Sequence, residues 1–505
     1  MVIMRLMFFC ASAHLLFIYG NVSGEVQGGV KVKQGKLFGR KIRSNVELIQ
    51  SIMGESSDFT IRELILSSNK QIVLFFLNGM VDQKLVDQVI SSLLEHTPKH
   101  NVTIQMLKDR IINIGEVNLD QSVEKSMDHI LSGGLLLLLD GSDEGINIAI
   151  PGWEDRSITE STTQSVIRGP KDSFTETLGT NTTLVRRRIK DTRIRVTVLK
   201  IGSKTKTEIA IMYMDEIVDG KLTQQIIKRL RTMKTDRVLE GQYIEEILRE
   251  NNRQTIFPML YNSDRPDTIA AGIVEGRIGI FIDGTPFVLL APTVFVDFMQ
   301  APDDYYQSYI YVNFIRIIRY ISLYICMLAP AIYIALTTHH QDIIPTQLLL
   351  SLAAQREGVP FPAFVEALIM EITFEILREA GIRMPRTVGQ TVSIVGTLVI
   401  GQAAVEAGVV SAVMVIIVAI TAISSFVIPA YSMAIAIRLL RFIFMGLAAM
   451  LGMYGLTIGM IILVSHMCSL QSFGKPYMSP MAPYNKQGQG DAIFRFPFRS
   501  ANHRE

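Results

Sequence analysis

Residues 387–429 read TVGQTVSIVGTLVIGQAAVEAGVVSAVMVIIVAITAISSFVIP, an apolar run whose single charged side chain is Glu406. A hydrocarbon core of about 30 Å takes about 20 helical residues at 1.5 Å per residue. The run is too long for one crossing and about right for two. Gly408 sits near the midpoint, where a hairpin would turn, and Pro429 closes the second limb. A carboxylate there is costly unless it faces water, a partner or a pore. The run reads as a membrane hairpin, and Glu406 is its first candidate residue.

Further apolar segments flank it. Tyr320–Thr338 is free of charge and long enough to cross, as is Phe442–Ser465. Phe361–Leu377 carries Glu366, Glu371 and Glu375 on one broad helical face, so it predicts an amphipathic helix that crosses against others or lies in the interface. Arg316 and Arg319 precede the first span, Arg378, Arg383 and Arg386 precede the hairpin, and Arg438 and Arg441 follow it. The positive-inside rule puts these groups on the cytoplasmic side. With Phe361–Leu377 returning the chain inward, that predicts five spans and a cytoplasmic head.

Upstream, strand and helix signals alternate. Gln71–Leu77 is an apolar run, Val81–Leu94 has helical spacing, and Leu135–Leu139 suits a buried strand before the Asp140-Gly141 turn. The order returns later, with Glu208–Met214 as a strand, Asp219–Leu230 as a helix and Arg277–Ile282 as a strand before Asp283-Gly284. Gln71–Leu93 lies over Glu208–Leu230 without gaps, matching Asp82 with Asp219 and Lys84 with Lys221. Core periodicity alone aligns apolar positions, not Asp-x-Lys or Asp-Gly pairs, so the pattern predicts two related subdomains. The expected fold class is an α/β soluble region of two related α/β subdomains followed by an all-α polytopic membrane domain. Its divisions are an apolar then basic N-terminal extension (1–46), subdomain one (47–153), a polar linker (154–192), subdomain two (193–306), a helical membrane domain of about five spans (307–467) and a polar tail (468–505).

The extension begins with Met1–Gly20, a single Arg5 followed by an apolar run, which is the pattern of a short signal peptide. A start codon called too early or an extra anchor fits the arginine bias better. The 505 residues hold 49 Lys+Arg against 47 Asp+Glu, a balance that excludes a broad basic nucleic-acid surface. Cys10, Cys326 and Cys468 lack paired spacing, which gives neither a disulfide framework nor a zinc site. The sequons at Asn21, Asn101 and Asn181 are no more than chance supplies. His339-His340 beside Asp342 reads as a solvated loop rather than a metal cluster. No Walker pattern, nucleophile elbow or Rossmann glycine triplet is present, so no catalytic residue, metal or cofactor is expected. Arg186-Arg187-Arg188 suits a contact with a subunit carboxylate or acidic lipid headgroups, or else a solvated face.

In the hairpin's first limb, Gln390, Ser393, Thr397, Gln402 and Glu406 alternate with small residues. One reading is a polar helix along a water path in an oligomer, with Glu406 giving a ring of negative charge that selects cations. The other is that Gln402 and Glu406, four apart, bond to a neighbouring helix.

Longer stretches carry a resemblance. Arg168-Gly169-Pro170, Phe174-Thr175-Glu176, Asn181-Thr182 and the run from Arg186 to Asp191 closely resemble the hallmark region of GerA-type A subunits of spore nutrient germinant receptors. Asp283-Gly284-Thr285-Pro286-Phe287, the run from Arg356 to Pro362 and Gly401-Gln402-Ala403-Ala404-Val405-Glu406-Ala407-Gly408 extend the likeness, which covers about Glu47 to Pro483. It implies a multi-pass subunit of the spore inner membrane with its soluble region facing the cytoplasm or spore core. Its implied partners are a transporter-like B subunit that binds nutrient, a lipoprotein C subunit, further copies of itself and membrane lipids, with no nucleic acid. It also implies a ligand-gated cation channel. On that basis Val388, Thr391, Val395, Val399, Gln402 and Glu406 are the expected pore-lining residues. A solute permease subunit or a non-conducting signalling scaffold is the alternative.

Overall fold

The computed structural model describes residues 36–66, 70–98, 102–152, 161, 164, 166–249, 255–385, 401–486 and 488–497. The apolar run 1–20 and residues 386–400 of the hairpin lie outside them.

Two α/β units with one topology form the head. The first sheet contains β1 (Phe59–Ile65), β2 (Gln71–Leu77), β3 (Glu116–Asp120), β4 (Gly134–Leu139) and β5 (Gly145–Ala149), in the order β1-β2-β4-β5-β3 with every pair antiparallel. Because side chains alternate along β2, Ile72, Leu74 and Phe76 pack under α2 (Gln83–His96), while Val73, Phe75 and Leu77 meet α1 (Ile42–Met53) and α3 (Val123–Leu131). Covered on both faces, β2 and β4 are continuous apolar runs rather than alternating ones. The second sheet contains β6 (Ile194–Ile201), β7 (Thr207–Met214), β8 (Tyr261–Ser263), β9 (Ile278–Ile282) and β10 (Val288–Ala291), in the order β6-β7-β9-β10-β8. This is the first order renumbered. Helices α5 (Gly220–Arg231) and α6 (Gly241–Leu248) cover one face, and α4 (Leu178–Arg188) and α7 (Pro266–Val274) the other.

The polar residues of the repeat have structural causes. Asp82 and Asp219 are N-caps, each accepting at 2.9 Å from the backbone of the lysine two residues on. Asp140 and Asp283 do more than turn the chain. Each carboxylate accepts from the first amide of its unit's leading helix, Ile42 at 3.3 Å and Leu178 at 3.2 Å. Asn181 belongs to this device: its amide brackets the backbone of Thr175 as Asn45 brackets that of Gly39. Helix α4 lies within the stretch read as a polar linker, yet Leu184 and Val185 are core residues of the second unit.

That core continues without a break into the helical domain. Helix α8 (Tyr309–Thr338) leaves the head, and its far end meets the loop carrying α9 (Thr346–Arg356). Helix α10 (Ala363–Arg383) returns, residues 401–406 are helical again, and α11 (Ala412–Val427) precedes α12 (Tyr431–Ser469). Gly408 turns at a φ of 67°, close to the backbone of Gly358, so the hairpin tip lies at the end away from the head.

Helix α12 holds the main departure from expectation. The apolar run Phe442–Ser465, read as one span, reverses at Gly452, whose φ of 57° and ψ of −137° are not helical. In a straight helix Phe444 and Gly459 would stand about 22 Å apart. Instead, a Cβ built on Gly459 lies 2.8 Å from the Phe444 ring. The two limbs, 431–451 and 453–469, pack antiparallel, with Gly455 and Gly459 forming a small-xxx-small seam against Leu447 and Phe444. The second limb ends back at the head, where His466 Nε2 lies 3.1 Å from the Thr255 hydroxyl. Beyond it, Ser472 bonds Met259 and Thr293, and the Tyr477 carbonyl accepts from Phe295. Head and tail therefore share one end of the helical domain.

Candidate functional site

The helical domain has a charged interior. Glu366 and Glu371 on α10 are both 0% exposed, and Glu375 lies one turn beyond Glu371. Glu371 pairs with Arg441 of α12, itself 0% exposed, while Glu375 takes Arg438 at 2.7 Å and Arg441 at 3.4 Å. Near the far end, Glu366 accepts from the backbone amide of Ser411 at 2.6 Å and from its hydroxyl, with Arg356 3.8 Å away. Ser411 is the N-cap of α11, so this carboxylate also faces that helix's positive end. The amphipathic pattern of α10 thus has its physical reason: each glutamate has a cation or a helix start opposite it. Arg438 and Arg441, read as flanking charges that report sidedness, are spent inside the domain.

A second network fastens the helices to the head. Asp304, 2% exposed, accepts from Arg316 Nε at 2.9 Å and Arg319 Nη1 at 2.8 Å. The tail closes the junction, with Asp491 2.9 Å from Arg316 Nη1 and 2.7 Å from the Tyr305 hydroxyl. Arg495 reaches the carbonyls of Asp304 and Gln307. Desolvation at the junction, then the charge of Asp491, raise the Tyr305 phenol far above its ordinary range, so it stays protonated and donates to Asp491.

Between head and helices lies a cavity of about 890 Å³. Tyr261 and Asp303 line it from the head, and Arg319, Arg378, Ser425 and Arg438 from the helices. Burial pushes the Tyr261 hydroxyl up to about 12 and raises the Asp303 carboxyl above its usual range. Arg378 bonds the Ser425 hydroxyl at 2.9 Å and stands 4.5 Å over the Phe426 ring.

The expected pore residues divide. Val388, Thr391, Val395 and Val399 lie outside the described residues. Gln402 and Glu406 are exposed on the chain's outer face, and Gln402 Nε2 donates to Glu406 Oε1 at 2.9 Å within one helix. Glu406 precedes the Gly408 turn, near the far end of its limb rather than at mid-depth.

Of the arginine triplet, Arg186 is 2% exposed and grips Asp58 through Nε at 2.8 Å and Nη2 at 3.0 Å. It also bonds Ser56 and the Ile194 carbonyl, joining the two units of the head. The outward subunit or lipid contact expected of it gives way to this internal pair, because the guanidinium cannot do both. Arg187 is half-buried, and Arg188 bonds Asp172 at 2.7 Å. His339 bonds the Ala449 carbonyl, and both it and His340 abut Gly452; among the described residues no group of three or more side chains is arranged to hold a metal.

Comparison with known proteins matches residues 47–505 to the family described as Bacillus/Clostridium GerA spore germination protein. Spore germination protein KA of Bacillus subtilis is 46% identical over 92% of this chain and 86% of its own length. Spore germination protein GerLA of Bacillus cereus is 38% identical over 89% of this chain and 92% of its own. Among solved structures, the N-terminal domain of the A subunit of the Bacillus megaterium spore germinant receptor GerK3 matches at 31% identity. It covers 52% of this chain and 99% of that one, with a TM-score of 0.42. The chain belongs to the Bacillus/Clostridium GerA family of spore germination proteins.

Proposed function

We propose that this chain is the A subunit of a nutrient germinant receptor and that copies of it assemble into a ligand-gated cation channel of the spore inner membrane. The observation that carries the reading is the exposed Gln402–Glu406 pair on an otherwise apolar, small-residue face. A carboxylate on the outside of a membrane helix is costly. Further copies of the chain around a water path remove that cost and turn the same carboxylates into a ring that attracts cations. The pore limb would run from Val388 to Glu406, with Glu406 at its outer mouth.

In this reading six segments cross: α8, α10, the limb ending at Glu406, α11 and the two limbs of α12. Head and tail both face the cytoplasm or spore core. A transporter-like B subunit would bind the nutrient, and a lipoprotein C subunit would complete the receptor. Nutrient must favour the open state over the closed one for gating to follow. The chain has no enzymatic part in this scheme.

The test is conductance of the reconstituted receptor in liposomes with and without nutrient. Glu406→Gln should lower the potassium-over-chloride permeability ratio about tenfold, the lower limit for field focusing in a charged cleft. Gln402→Leu, which removes the partner that orients the carboxylate, should lower it less. Unchanged conductance and selectivity in both variants, with assembly intact, would favour a scaffold, and nutrient flux through the chain a permease.

A further inference from the structure

We propose that the cavity between the head and the helical domain is a binding site for an anionic phosphate group, supplied by a phospholipid headgroup. The wall chemistry points there. Three guanidiniums, those of Arg319, Arg378 and Arg438, line the cavity, against one carboxylate among the described lining residues, Asp303. Arg319 shares Asp304 with Arg316, and Arg438 has Glu375. Arg378 has no carboxylate within 4 Å among the described residues.

Among the described residues its Nη2 reaches only the Ser425 hydroxyl, and its Nη1 is buried without a partner. Arg438 Nε is likewise buried and unpartnered among the described residues. The rings of Phe374 and Phe426 hold the Arg378 guanidinium in place from apolar surroundings. A half-buried cation without an anionic partner is partly desolvated with nothing to compensate it, and a bound anion removes that cost. A guanidinium with a free edge presents the fork that matches phosphate oxygens.

The level of the site identifies the source. The cavity opens at the end of the helices next to the head, where Tyr309, Tyr311 and Tyr431 are exposed. Tyrosines gather at the membrane–water interface, and basic pockets between helices at that depth take anionic headgroups. A volume of about 890 Å³ holds a glycerophosphate group and the first acyl carbons along the apolar wall formed by Met370, Phe374 and Val418. A bound lipid would touch the head, α8, α10, α11 and α12 together.

The inference rests on the membrane placement proposed above and not on conduction, so a failed conductance experiment leaves it standing. The test uses the full-length chain, delipidated in detergent and titrated with phosphatidylglycerol, phosphatidylcholine or inorganic phosphate. Bound lipid is counted by native mass spectrometry and binding followed by the thermal midpoint. Phosphatidylglycerol should bind at least about tenfold more tightly than phosphatidylcholine, and Arg378→Met should remove that preference, consistent with loss of charge-assisted hydrogen bonds. Arg378→Lys, which keeps charge without the fork, should retain part of it, and an unshifted midpoint of the lipid-free variants confirms that they fold. Stabilisation by inorganic phosphate that Arg378→Met abolishes, with no preference between the lipids, would keep the phosphate site but overturn its lipid source. Equal binding of both lipids without a phosphate response, or an undiminished preference in Arg378→Met, would overturn the site itself.

Discussion

Arg441→Leu should deplete the folded full-length protein from membranes, because it strands the Glu371 carboxylate inside the helical domain. Both side chains are 0% exposed and face each other across α10 and α12. Removing one partner of such a pair costs about 3–5 kcal/mol, since the remaining charge is neither solvated nor matched. That is a large share of the 5–15 kcal/mol separating folded from unfolded states in a typical domain. Arg438 does not substitute, as it is already engaged with Glu375. The double variant Glu371→Gln/Arg441→Met should recover most of the loss, because the pair also cost desolvation to bury. Thermal midpoints and the yield of monodisperse protein in detergent measure both. A single variant as stable as wild type would show that the pair contributes nothing. A double variant worse than the single would show that its charges are needed for more than balance.

Gly452→Val should open the hairpin of α12. The backbone there has a φ of 57°, in the region that L side chains rarely adopt. A Cβ would also stand 2.7 Å from the His340 ring and 2.8 Å from His339 Cβ. Backbone strain of about 1–3 kcal/mol and overpacking of a similar size should add to about 2–6 kcal/mol. The visible consequence lies at the other end of the molecule. If the second limb no longer packs against Phe444 and Leu447, the tail loses its seat on Thr293 and Phe295, and limited trypsin digestion should cut at Lys486 and at Arg495, which is buried in the intact fold. Gly446→Val is the control, because a Cβ there meets nothing within 4 Å. Equal protease resistance in both variants would mean that the turn does not depend on glycine.

The repeat was legible in sequence because its polar matches do local work. Asp82 and Asp219 cap helices, and Asp140 and Asp283 cap helices in the other layer, so neither pair drifts with core composition. The leading helices α1 and α4 were harder to see. Residues 178–188 carry threonines and arginines on a helix whose burial comes from both units of the head, so no apolar stripe announces it. The reversal at Gly452 was hidden for the opposite reason. The stretch Phe442–Ser465 is uncharged on both sides of the turn, so no charged residue marks it. The available signal was glycine spacing, with Gly452 followed by the Gly455-x-x-x-Gly459 seam. Arginine bias counts charges without asking which have partners inside the protein. Three glutamates on α10 already required cations inside the domain, and Arg438 and Arg441 met two of them.

The account turns on head and tail lying on the same side of a six-segment domain, with the Gly358 and Gly408 turns on the other. Single cysteines at Lys84, Gly358 and Lys486, with the native cysteines replaced by serine, test this with a membrane-impermeant maleimide. The expected result on intact cells is labelling at Gly358→Cys alone, with Lys84→Cys and Lys486→Cys reacting together only after permeabilisation. Lys84→Cys and Lys486→Cys reacting from opposite sides would mean an odd number of crossings and would contradict the fold of α12 on which the account rests.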